Sequence, residues 1–243
     1  MGTDGPSKFL QKRAASKRKM KTLAKVSAAD WREGFLFVGN HLALDFINTR
    51  PEIDGKPNEL LTNWSSLIRW FRASKLIDAR DGVSFECSWA ESKEAQKTLR
   101  AMWTFRENLR KDLLAWEGDG RIRSETLREL NALMSEHPML KKITSEGARF
   151  ITVQWFPLQQ PSNLFAPLAL AAANLFSELD PKRVRKCEHC VLHFHDTSKI
   201  GTRRWCSMRL CGNRVKVAAY AARHSSDQHR TDSPRLSPAK WPP

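Results

Sequence analysis

No stretch of about 18 apolar residues, the length of a bilayer-spanning helix, occurs in this sequence, and its beginning lacks the apolar segment of a secretory signal. We therefore expect a soluble, cytoplasmic protein without membrane contact. Near Asp45, the acid that stands among apolar residues, there is no Gly-rich phosphate loop, nucleophile motif or metal-binding histidine pair. Those absences argue against an enzyme. There is no internal repeat of useful length and no heptad run, so nothing in the pattern establishes a coiled-coil dimer.

What is abundant is positive charge, and it is unevenly placed. The formal charge is +15 over 243 residues. Residues 1–26 hold eight Lys/Arg and one acid, residues 181–243 hold fourteen Lys/Arg and four acids, and residues 27–180 hold nineteen basic against twenty-one acidic side chains. Cations concentrated at the two ends of a near-neutral body suit a polyanionic partner such as nucleic acid. An anionic membrane surface is the competing partner. The arm "KFLQKRAASKRKMKTLAKV" reads as basic and flexible rather than as a transit peptide, with Met20 an alternative start. The stretch 225–243 has four prolines and little apolar content, which predicts a disordered tail.

With 41% hydrophobic residues, the chain can bury one substantial core and support a small added module. Helical spacing dominates the middle. In "LTNWSSLIRWFRASKLI", Trp64, Leu67, Ile68 and Phe71 share a helical face, with Thr62 or Asn63 as cap. Ser88 and Glu91 have capping-box spacing, predicting a long helix from there through Leu99, Met102, Trp103, Leu109, Leu113 and Trp116, stopped by "GDG" at 118–120. A third helix aligns Leu127, Leu130 and Met134. "ARFITVQWF" alternates like a strand, and "APLALAAANLFSEL" is a helix with Pro167 in its first turn. After the last cysteine, Asn213 is expected to cap "RVKVAAYAAR", with Val215, Ala219 and Ala222 on one face and Lys216, Tyr220 and Arg223 on another.

The strongest chemical signal is four cysteines. Cys187 and Cys190 form C-x2-C, Cys206 and Cys211 form C-x4-C, and fifteen residues separate the pairs. Short loops let each pair of sulfurs converge, and a linker of that length lets the pairs meet around one tetrahedral Zn²⁺. Four thiolates leave that site at a formal −2, which Lys186, Arg203, Arg204, Arg209 and Arg214 can offset. A redox C-x2-C lacks its usual βαβ setting here, a disulfide framework does not suit a chain without a secretory signal, and four cysteines leave no open position for a catalytic zinc. His189, His193 and His195 lie near enough to be weighed as ligands, but the four sulfurs already complete the set. His193 and His195 are expected to face solvent, phosphate or the small core. Cys87 is expected to be an ordinary half-buried thiol.

Cys187, Cys190, "FHDTS" at 194–198, "RRWC" at 203–206, "CGNR" at 211–214 and Lys216 together resemble the CGNR zinc-finger family. Upstream, "FVGNHLALDFINT" at 37–49 and "ELLTNWSSLIRWFRASKLI" resemble the ABATE domain that precedes this finger in bacterial proteins. The resemblance covers residues 34–224 and implies a stress-induced transcription regulator whose finger meets DNA. By position it makes Cys187, Cys190, Cys206 and Cys211 the ligands of one structural Zn²⁺. Phe194 and Trp205 are then the finger's small core, since a module of about 40 residues depends on metal to fold. Asp196 and Ser198 are expected as turn or cap residues, and Gly212 as a tight turn. Candidate nucleic-acid contacts are Arg203, Arg204, Arg209, Arg214, Lys216 and Arg223, each of which could instead be a solvated charge or a counter-ion to the thiolates.

Asp45 and Asn48 stand among apolar residues. They are expected either to bind neighbouring backbone or to form the polar corner of a ligand pocket for an effector. The resulting expectation is a mainly α fold with minor β (α+β): a multihelical domain at 31–180, after an arm at 1–30, joined to a treble-clef-like or ribbon-like zinc module at 181–224, and a tail at 225–243. DNA is the expected partner, the larger domain sensing a signal or forming a homodimer. RNA is the rival partner, and a protein-interaction adaptor with a purely structural zinc site is the rival class.

Overall fold

The computed structural model of this chain describes residues 30–53, 55–218 and 220–221. The basic arm, the proline-rich tail and Arg223 lie outside the described residues. The architecture is mainly helical, with four separate two-stranded antiparallel sheets among the described residues, in agreement with the expected fold class.

Asn63 caps helix α2 (Trp64–Ala73): its side chain accepts from the Ser66 amide, and Ser66 Oγ accepts in turn from the Asn63 amide. Its predicted face, Trp64, Leu67, Ile68 and Phe71, is buried. The helix α3 (Ala79–Trp89) runs straight through Ser88, whose hydroxyl bonds back to the Ser84 carbonyl four residues earlier. Hence the expected cap at Ser88 is wrong. The long helix α4 (Lys93–Asp119) starts instead at Ser92, which accepts from the Ala95 amide, and ends at Gly120 as expected. Along α4, Ala95, Leu99, Met102, Phe105, Leu109, Leu113 and Trp116 form one buried stripe over about 32 Å.

Helix α5 (Ser124–Glu136) turns a different face inward from the predicted one. Leu130 is buried and Leu133 packs on the core, while Leu127 is 48% exposed. The predicted strand is β6 (Arg149–Trp155), and it pairs with β5 (Leu140–Glu146), a strand the sequence does not announce because it carries only two apolar residues. Helix α6 (Phe165–Glu178) follows a 3-10 turn at Pro161–Leu164 and is buried along most of its length.

Around this core lie short elements that position the cysteines. Strands β1 (Trp31–Arg32) and β2 (Phe35–Leu36) form a hairpin before helix α1 (Leu42–Ile47), and β3 (Glu52–Ile53) pairs with β4 (Lys56–Pro57). Strands β7 (Val184–Lys186) and β8 (His193–His195) flank the first cysteine pair. A π-helical turn at Met208–Gly212 leads into α7, residues 213–218 and 220–221. One apolar cluster unites α1 to α6. A second, smaller one joins Cys187, Leu192, Phe194, Cys206, Leu210 and Cys211 to Leu36 and Val38 of the N-terminal hairpin.

Candidate metal centre

Cys187 and Cys190 sit in the turn between β7 and β8, closed by the Cys187 amide donating to the Leu192 carbonyl at 2.8 Å. The second pair is built differently. Ser207 Oγ accepts from the Arg209 and Leu210 amides, and the Ser207 carbonyl accepts from both Cys211 and Gly212. This wide π-turn carries Cys211 back toward Cys206 across four intervening residues.

The four sulfurs all lie within 4.8 Å of one another, three of the four cysteines being buried and Cys190 half-buried. Cys206 Sγ is 3.7 Å from both Cys190 Sγ and Cys211 Sγ, too far for a disulfide. Bonds to Cys190, Cys206 and Cys211 hold the Cys187 thiol well below its ordinary range, and the same contacts push Cys206 up. Four thiols converging this closely fit a cation that displaces their protons. The four cysteines are therefore placed to hold a metal ion. Cys87 is outside it, on α3, and is exposed rather than half-buried.

Several motif residues brace this centre. Phe194 is fully buried and Trp205 packs on the same cluster. Asp196 is fully buried: Oδ1 accepts from the Ser198 amide and Oδ2 from the Arg203 amide, the turn role expected of it. Gly212 does not make the tight turn expected of it. It lies in the π-turn, where an added Cβ would come within 2.6 Å of Met208 Sδ and 3.3 Å of the Trp205 ring, so the requirement there is space. Nor does Asn213 cap the last helix; its backbone is already helical and Ser207 supplies the cap.

The cations divide into two groups. Arg203, expected as a nucleic-acid contact, is instead part of the brace: Nε donates to the Trp205 carbonyl at 2.8 Å, Nη2 donates to the Cys206 carbonyl, and the guanidinium lies 4.4 Å over the Phe194 ring. Arg204 is exposed but forms a two-pronged pair with Glu188 at 2.5 to 2.8 Å. Arg209, Arg214 and Lys216 are exposed on the π-turn and α7. Along α7, residues 213, 214, 216–218, 220 and 221 are exposed and Val215 is half-buried. Ala219 and Ala222, expected to share its packing face, lie outside the described residues.

The finger is fastened to the helical body by the segment 39–48. The Asn48 amide bridges β8 from both ends, Nδ2 donating to the His193 carbonyl at 2.8 Å and Oδ1 accepting from the His193 amide at 2.9 Å. Asn40 Nδ2 donates to the His195 carbonyl, and the His195 amide donates to the Gly39 carbonyl. Asp45 Oδ1 accepts from the Gly39 amide at 2.8 Å, and a Cβ on Gly39 would collide with Leu44 Cβ at 2.7 Å. The ligand-pocket alternative for Asp45 and Asn48 is thereby corrected: their polar atoms already serve the backbone. Burial pushes the Asp45 carboxyl up to about 7, against the pull of the Gly39 amide and Arg32. Ser207 Oγ adds a bond to Asp30 Oδ2 at 2.5 Å.

Sequence reasoning missed three arginines. Arg106, 1% exposed on α4, grips Glu59 and Thr49 and so fixes the strand-containing segment between α1 and α2. Arg183 and Arg185 clamp carbonyls of the loop between the two cysteine pairs. Clusters of arginine in a basic sequence carry no sign of which are inward-facing. His193, expected to face solvent, phosphate or the small core, is buried against α4 with Nε2 3.6 Å from Glu117 Oε1. Burial lowers His193 to about 4, helped by Arg110 and Lys186, and raises Glu117 to about 7, so at neutral pH the imidazole is uncharged and the carboxyl about half protonated.

No helix among the described residues is long and apolar enough to cross a membrane. The chain matches two family models: residues 183–224 match the CGNR zinc finger, and residues 40–178 match the ABATE domain, described as "Putative stress-induced transcription regulator". No curated protein matches it. With more than half its length covered by that second model and the finger model directly after it, the chain belongs to the ABATE family, its domain followed by a CGNR zinc finger.

Proposed function

We propose that the protein is a DNA-binding transcription regulator in which one structural Zn²⁺, held by Cys187, Cys190, Cys206 and Cys211, organises the finger and α7 meets the duplex. Zinc–thiolate bonds of about 2.3 Å require tetrahedral sulfur edges of about 3.8 Å, and the 3.7 Å separations match. Four sulfurs close the coordination shell, so the metal's role is to hold shape and not to activate water. The reading is accordingly one of a binding protein, not an enzyme.

The observation that carries the proposal is α7 itself. It leaves the metal centre with almost every described side chain exposed, has Arg214 and Lys216 on it and contains no acid. A helix of that character fits the major groove and is drawn to phosphate. The family description supports regulation of transcription as its purpose. The helical body would supply control: a cavity of about 650 Å³ between α3, α4 and α5, lined by Phe105, His137 and Phe165 among others, is of small-molecule size.

Selection from a random duplex pool by the zinc-loaded chain, with excess single-stranded RNA as competitor, tests this reading. Enrichment of a short duplex motif is expected. Retention without enrichment would mean that charge alone binds, loss to the RNA competitor would make RNA the partner, and no retention at all would leave the finger as an adaptor. Arg214→Ala and Lys216→Ala are each expected to lower the salt slope of duplex binding by about one if they touch phosphate.

A further inference from the structure

We propose that Ile200 is a wedge that enters a base step of the duplex held by the finger, unstacking it; the proposal rests on the DNA-binding reading and deepens it. Ile200 stands at the tip of the loop between β8 and the second cysteine pair and is 80% exposed. A single exposed apolar side chain is ordinary on a protein surface. This one differs in how firmly the backbone around it is held.

On the side before the tip, Arg183 Nη1 takes the carbonyls of Asp196 and Ser198, at 3.2 and 2.9 Å. On the side after it, Arg185 Nη2 takes the Gly201 carbonyl at 2.8 Å, and the Gly201 amide donates to Ser198 Oγ. The buried Asp196 carboxylate ties both ends together through the Ser198 and Arg203 amides. Gly201, at φ 70°, makes the turn that the next residue needs. The loop is therefore ordered before anything binds, which removes most of the entropy cost of presenting its tip.

The charges around the tip select the partner. Lys199 beside it is exposed, Arg183 and Arg185 bond the loop on its two sides, and the loop's only acid, Asp196, is fully buried. An apolar side chain flanked by cations is the pattern by which proteins insert between base steps while gripping the phosphates on either side. A lipid surface is a poorer fit, because one isoleucine contributes only about 1.5–3 kcal/mol on burial, too little to hold a protein on a bilayer.

The test uses the zinc-loaded chain and a short duplex with 2-aminopurine next to a central TA step, the kind of step that opens most easily. Wild-type binding, followed by anisotropy, is expected to raise the 2-aminopurine fluorescence. Ile200→Ser should reduce that rise by roughly threefold or more while leaving the salt slope unchanged, and Ile200→Leu should restore it. Metal content of each variant serves as the folding control. If wild type binds but the fluorescence does not rise, or if Ile200→Ser raises it equally, the wedge is overturned and DNA binding stands. If wild type gives a flat anisotropy titration, the DNA reading itself fails and takes the wedge with it.

Discussion

The helical body and the finger hold themselves together by opposite means. The body buries a continuous apolar cluster running from α1 to α6 and carries nearly balanced charge. In the finger, three of the eight buried cluster residues are cysteines and two more, Leu36 and Val38, come from the N-terminal hairpin. Its segment 181–221 has ten Lys/Arg against two acids. A module that folds on metal ligation can tolerate that charge density, since its stability does not depend on a large neutral core. The comparison teaches where a strongly basic surface can be placed in a small protein, and why the larger region grips it by its backbone.

Breaking the metal centre should have the largest effect. Cys206→Ser is expected to forfeit most of the roughly 10–16 kcal/mol that structural zinc supplies to small fingers. Bound metal, counted by a colorimetric chelator, should fall below one per chain, while the thermal transition of the helical body persists. Simultaneous loss of both would mean that the two regions are one cooperative unit.

Next in size is the joint between them. Asn48→Ala strands the amide and carbonyl of His193 in a buried place, at a cost of about 2–4 kcal/mol. Hydrogen exchange should speed up at 193–195 more than along α4; equal exchange in both proteins would show that the bridge is dispensable.

Arg203→Ala sharpens the contrast within the finger. It removes two carbonyl bonds and a ring contact beside the metal, so metal retention against a competing chelator should drop by about 1–3 kcal/mol. Arg214→Ala, on the exposed helix, should leave retention unchanged. If the two behave alike, Arg203 is not a brace.

The smallest effect concerns pH. Asp45 has a folded value of about 7, above its ordinary 3.8, so the native state holds a proton that the unfolded chain releases. Its contribution is full below about pH 4 and is lost as pH rises through about 7. Asp45→Asn keeps an oxygen for the Gly39 amide and lacks that loss. Its stability relative to wild type should therefore improve by about 2 kcal/mol between pH 5 and 7, read from urea midpoints, and parallel curves would contradict the assignment.

What could be read from the sequence was what is local. The cysteine pairs, the α2 cap at Asn63 and the stripe on α4 each depend on residues within a turn or two of one another. Ser88 misled because its spacing to Glu91 satisfies a capping box, whereas Ser92, the observed cap, has Ala95 at that position and caps through its hydroxyl alone. The Asn48 bridge spans 145 residues and the Ser207–Asp30 bond 177, distances over which no spacing rule operates. Arg203 and Arg214 are alike in sequence and differ only because Phe194 and the Cys206 carbonyl lie beneath the first.

The most direct measurement is a duplex-binding titration of the full chain, followed by anisotropy before metal removal, after chelation and after zinc is restored. If the metal-organised finger carries the binding, affinity collapses with the metal and returns with it, and the salt slope returns as well. Chelated protein that binds as tightly, with the same slope, would contradict the account and place the binding on cations outside the finger.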